Sequence, residues 1–165
     1  MSINISLTHH LPEAYYTGKA RVSFTVCLAR EEKILTEGSI PELFRRILYR
    51  EAAAAQCEVV IYLFMPDHCH MILQGKNQYA HTVRALGRFL RHTDFWFQEH
   101  RPGVQWEDDF FDHVLVADRD AINKVRYVLE SPVGYGLVKD WKEYPYKGST
   151  VYNLEEWKSP IPPEP

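Results

Sequence analysis

Cysteine is scarce in this sequence: Cys27, Cys57 and Cys69 are the only three in 165 residues, an odd number, each inside an apolar run. That placement argues against a disulfide scaffold and for a reducing compartment. Long apolar runs are missing too. None approaches the ~20 residues of a membrane-spanning helix, so no membrane partner is expected. The opening MSINISLTHHLPEAYYTG has no basic start followed by an apolar core. No secretory signal is therefore expected, and the expected location is cytoplasmic. Nor is there an excess of positive charge: the formal net charge is −3. Its distribution is uneven, with 12 Lys/Arg against 10 Asp/Glu in residues 1–104 and 7 against 12 in residues 105–165. Any phosphate-binding surface is therefore expected mainly in the first two thirds. There is no internal repeat. What is present, 45% hydrophobic and 25% charged residues, is ordinary for a globular chain long enough for one domain. We place that domain at residues 1–150. A proline-rich tail, 151–165, is expected to be extended and outside the fold.

Hydrophobic period predicts the elements. ARVSFTVCLA (20–29) alternates and reads as a strand. SIPELFRRILYREAAAA follows with a candidate cap at Ser39, Pro41 in the first turn and apolar residues at helical spacing. CEVVIYLF (57–64) and HCHMILQ (68–74) flank the turn MPD and predict a hairpin. Residues 79–100 predict a long helix, 109–117 a fourth strand, and 118–131 a last helix that Pro132 helps to end. The order strand, helix, strand, strand, helix, strand, plus one further helix, is the ferredoxin-like split βαβ pattern of the α+β class. It predicts a four-stranded antiparallel sheet with two helices on one face and the other face open. The fold alone decides no function.

Three features carry possible chemistry. His68 and His70 are two apart on a strand, so both imidazoles face one side while Cys69 and Met71 face the other. Such a pair is ready to share a metal ion, although on spacing alone a bare His-x-His is more often one surface and one core histidine. In the last helix, Ile122, Val125 and Leu129 define an apolar stripe. Tyr127 lies ~200° from Val125 and projects away from that stripe. On its own side lie Asn123, Lys124, Glu130 and Ser131. Finally, Arg84, Arg88 and Arg91 recur at i, i+4 and i+7 on the long helix, near Lys76, His81 and His92. A solvated face is the ordinary role of such a stripe; phosphate binding is the alternative.

FMPDHCHMIL (64–73) resembles the His-hydrophobic-His strand of HUH endonucleases. The form is that of single-tyrosine insertion-sequence transposases and their REP-associated relatives. RYVLESPVGYGLV (126–138) is similar to that family's tyrosine helix and the segment after it. FFDHVLV and YPYKGST look like its fourth strand and closing segment, so the resemblance spans about residues 15–150.

The resemblance implies a metal-dependent transposase that cuts and rejoins single-stranded DNA, hairpin-forming or palindromic. His68 and His70 would hold Mg²⁺ or Mn²⁺, with Ser131 or Glu130 completing the site. Tyr127 would attack the scissile phosphate and leave a 5′-phosphotyrosyl link. Lys76, Arg84, Arg88, Arg91 and Lys124 would face the DNA. Whether Tyr127 serves its own subunit or a homodimer partner stays open. One departure stands out. The family commonly has Asn or Gln four residues after its tyrosine, and here that residue is Ser131. A domesticated descendant that binds DNA hairpins without efficient cleavage is thus a second reading. An unrelated zinc hydrolase, with His113 or His81 as further ligand, is a third.

Overall fold

The structure is a computed structural model describing residues 11–160. Strand β1 (Arg21–Cys27) leads to helix α1 (Ile40–Ala54), then to the hairpin β2 (Cys57–Phe64) and β3 (His68–Gly75). Helix α2 (Thr82–His100), strand β4 (Phe111–Val114), helix α3 (Asp118–Gly134) and strand β5 (Lys147–Gly148) complete the order. One antiparallel sheet holds all the strands in the order β4-β1-β3-β2-β5. The first four follow the expected split βαβ arrangement. The fifth is a two-residue edge strand beside β2, too short to show any period. No helix among the described residues is long and apolar enough to cross a membrane.

Alternation along the strands builds two cores. Val22, Phe24 and Val26 of β1 and Cys69, Met71 and Leu73 of β3 point to the face covered by α1 and α2. There Phe44 of α1 makes edge-on contacts with Phe89 and Phe97 of α2, at 6.2 and 5.4 Å between ring centroids. Ile61, Leu63 and Ile72 point the opposite way, against Ala121, Val125, Val128 and Leu129 of α3. The expected open face is therefore covered. The last helix folds back because its buried stripe has only this sheet face to pack on. Val128, not Ile122, completes that stripe. Tyr144 locks the arrangement by donating its hydroxyl hydrogen bond to the Phe64 carbonyl, 2.6 Å away. Tyr152, Leu154 and Trp157 add to this second core, and Arg126 of α3 donates to the Ser159 hydroxyl. Residues 161–165, the end of the proline-rich tail, lie outside the described residues.

Three element ends differ from expectation. α2 starts at Thr82, where the His81 side chain accepts from the Arg84 amide at 3.0 Å and caps it. β4 is confined to four residues. α3 runs through Pro132 to Gly134. A proline so near the helix end removes only one late hydrogen bond, and its own carbonyl accepts from the Leu137 amide at 2.9 Å.

Because α3 carries Tyr127, its docking sets the site. Leu129 is fully buried in that contact. Leu129→Ala should cost about 2–5 kcal/mol in denaturant unfolding. A cost under about 1 kcal/mol would mean that α3 is not held on the sheet as described.

Candidate active site

Pairing places His68 opposite Cys27 and His70 opposite Thr25, so both imidazoles lie on the face that α3 covers. Their rings meet edge to face with centroids 4.9 Å apart. His68 Nδ1 lies 2.6 Å from Asp67 Oδ1. A carboxylate only accepts, so Nδ1 carries a proton, and in the neutral ring the lone pair is then on Nε2. His70 Nδ1 lies 3.1 Å from the Thr25 hydroxyl; with Nδ1–H donating there, His70 also keeps its lone pair on Nε2. In metal sites, outer hydrogen bonds of this kind orient the ligating imidazoles.

Burial presses His70 towards its neutral form. Loss of solvent first, then the neighbouring His68 and Lys124, pull its pKa down to about 4. Above pH ~6.5 His70 is neutral in both folded and unfolded chains, so it carries no penalty. As the pH falls below that, the unfolded chain takes up a proton that the folded one refuses until about pH 4. Unfolding free energy of the metal-free protein should thus drop progressively between pH ~6.5 and ~4, by about 3 kcal/mol from this residue. His70→Gln should remove that part of the slope in urea titrations across the range. A slope unchanged by the substitution would contradict the buried neutral imidazole.

Helix α3 brings the tyrosine. Tyr127 is 59% exposed, as its position off the buried stripe requires, yet its ring lies 6.3 Å from that of His70. The encounter is within one chain. Lys124, one turn earlier, sets its ammonium 4.6 Å from the Tyr127 ring centroid, a cation–π contact. Partial burial lowers the Lys124 pKa. The Ser131 hydroxyl donates to the Tyr127 carbonyl at 3.0 Å, so it is tied back to its own helix. Glu130 and Ser131 line a cleft beside Tyr127.

The donor set fits a divalent ion in part. Two oriented imidazoles are present, but no group of three or more His, Cys, Asp or Glu suited to a metal occurs among the described residues. The zinc reading therefore lacks its third ligand. His81 hydrogen-bonds Glu13 at 3.0 Å and caps α2. His113 pairs with Ser23, two strands away from β3.

The remaining basic residues are not gathered here. Arg84, Arg88 and Arg91 ride on α2, across the sheet from the histidines. Arg88 lies 3.4 Å from the buried Glu51 carboxylate, which also sits 3.2 Å from His92. Lys76 follows β3 at the end remote from His68. Only Lys124 joins the site.

Residues not singled out in the sequence complete it. Tyr135, just past α3, holds its ring 5.8 Å from that of His68. With Tyr127, Lys139, Asp140 and Trp141 it lines the same cleft, of about 790 Å³. The available signal was its setting between Gly134 and Gly136. Gly136, at φ +74°, makes the left-handed turn after the helix, and an aromatic there belongs to no periodic stripe.

No family model matches the chain. A curated Haemophilus influenzae protein named "Putative REP-associated tyrosine transposase" is 27% identical over 134 residues, 74% of this chain and 76% of that one. A solved REP-associated tyrosine transposase, bound to a REP hairpin, superposes with a TM-score of 0.68 at 21% identity, covering 81% of this chain and 78% of that one. The similarity first read from short motifs thus extends over most of the chain in sequence, and the structural likeness establishes the fold.

Proposed function

We propose that this chain is a DNA-processing protein of the REP-associated tyrosine transposase type, recognising hairpin-forming single-stranded DNA and cutting it with Tyr127. The observation that carries the reading is the meeting of His68, His70 and Tyr127 on one sheet face, from two elements 57 positions apart in sequence numbering. The named transposase relatives, one of them bound to a hairpin, support the substrate class.

Each residue then has a task. The Tyr127 oxygen attacks phosphorus, and the bond to the 3′ oxygen breaks. A 5′-phosphotyrosyl link and a free 3′-hydroxyl remain, with the phenol proton balancing the leaving oxygen. Phosphoester energy is retained for rejoining. Lys124 holds the ring of Tyr127 and offers positive charge to the oxyanion that forms on it. His68 and His70 would hold a divalent ion, which when bound supplies charge stabilisation to the phosphate. Either Mg²⁺ or Mn²⁺ would draw most of its remaining ligands from oxygen donors. Ser131, whose hydroxyl donates to the Tyr127 carbonyl but keeps its oxygen lone pairs, Glu130, substrate oxygens or water would fill the remaining positions. Arg84, Arg88 and Arg91 would meet only a part of the DNA that reaches the opposite layer.

The direct test is to trap the intermediate: labelled hairpin DNA with single-stranded flanks, incubated with protein and Mn²⁺, should give a species that survives denaturant. Ser131 specifically favours the second reading, a descendant that binds hairpins without cutting. Retained binding with no adduct would select it.

A further inference from the structure

Just past α3, Tyr135 is a large aromatic side chain that stands exposed where nothing in the fold employs it. Tyr135 is 70% exposed, and Val133 and Tyr127 share its cleft. Patches of this kind mark binding surfaces. The cleft volume of about 790 Å³ falls in the range of small-ligand sites, ~300–1,000 Å³. Tyr135 and Trp141 are among the residues that line it. Lys142 and Lys147 sit 5.8 and 5.7 Å from the Trp141 ring centroid but line a neighbouring hollow with Leu154 and Glu155, and Lys147 is held by the Lys142 and Tyr144 carbonyls. Lys139 and Asp140 supply polar edges, and one Asp140 oxygen is already engaged by the Lys142 amide at 3.0 Å.

Position decides what such a cleft takes. Tyr135 touches His68 on one side and lines the cleft on the other, and Tyr127 also lines it. The space therefore opens directly beside the atoms that would act on a phosphate. An aromatic wall takes any base by its face, and a cation on the rim, here Lys139, can meet the backbone that carries it. We infer that the Tyr135–Trp141 cleft is a nucleobase subsite, receiving an unpaired base of the nucleotide that adjoins the scissile phosphate. The inference rests on the proposed function and adds to it where the strand runs: from the histidines past Tyr135, not across the sheet face towards β4. Tyr135 is then a positioning residue that sets which phosphate lies before Tyr127.

The test uses the full chain and two DNA hairpins, one with short thymidine flanks and one with the same flanks made abasic. Wild type should prefer the thymidine-flanked hairpin. Tyr135→Ala should lower that preference by about 10-fold, mainly by weakening the thymidine complex, and Tyr135→Phe should restore it. A merely structural or electrostatic loss would lower both affinities alike. Tyr135 is exposed, so Tyr135→Ala should keep the wild-type thermal midpoint. An unchanged preference in Tyr135→Ala, with hairpin binding intact, overturns the subsite and leaves the proposed function standing. If wild type binds neither hairpin, both fall.

Discussion

Tyr127→Phe should bind hairpin DNA as wild type does and form no covalent adduct with it at all. The substitution removes one oxygen. The ring that meets His70 at 6.3 Å and carries the Lys124 ammonium at 4.6 Å stays, so neither α3 nor the DNA surface should change. Because Tyr127 is exposed, the thermal midpoint should also hold. The attacking oxygen has no substitute, and ordinary phenols, ionising near pH ~10, react only where charge stabilises the phenolate. Denaturing gels of labelled hairpin with Mn²⁺ provide the readout. A persistent adduct in the variant would assign the attack to another tyrosine. Tyr135 would be the first to examine, since its ring lies beside His68.

Replacing His68 and His70 together by alanine should abolish Mn²⁺-dependent cleavage, a loss of about 10²-fold or more if the bound ion supplies several kcal/mol of charge stabilisation. The fold should survive. His70→Ala leaves the Thr25 hydroxyl without its 3.1 Å partner, a cost of about 1 kcal/mol and so a few degrees in midpoint. His68 is largely buried, with 12% of its side chain exposed, and hydrogen-bonds a half-buried Asp67, so its loss adds a further cost of about 1 kcal/mol. Circular dichroism and cleavage measured on one preparation separate the two effects. Cleavage at the wild-type rate would remove the metal from the mechanism. Unfolding of the variant would instead make the pair structural.

The two findings have different roots in the chain. Alternation in β1, the apolar β-forming run of β2, the turn before β3 and the 3.6-residue spacing in α1, α2 and α3 are local properties, so the element order and the split βαβ sheet could be read directly. The shared face of His68 and His70 is equally local: it follows from the pleat. Element ends were less legible. His81 caps α2 through a side-chain geometry that histidine shares with few capping residues. Pro132 is tolerated because it falls where α3 has almost ended. The two residues of β5 are too few to show a period at all.

By itself, then, the sequence determined the strand that carries both imidazoles, the helix that carries Tyr127, and the direction of that tyrosine off its buried stripe. Only the tertiary structure decided that α3 closes the second face of the sheet. That closure brings Tyr127 to His70 of the same chain and leaves Arg84, Arg88 and Arg91 on the opposite layer. It also brings Tyr135 against His68. The physical reason is that periodicity states which side of an element is apolar, not which surface will cover it. That choice belongs to burial summed over Ile61, Leu63 and Ile72 against Val125, Val128 and Leu129, contacts between residues more than fifty positions apart.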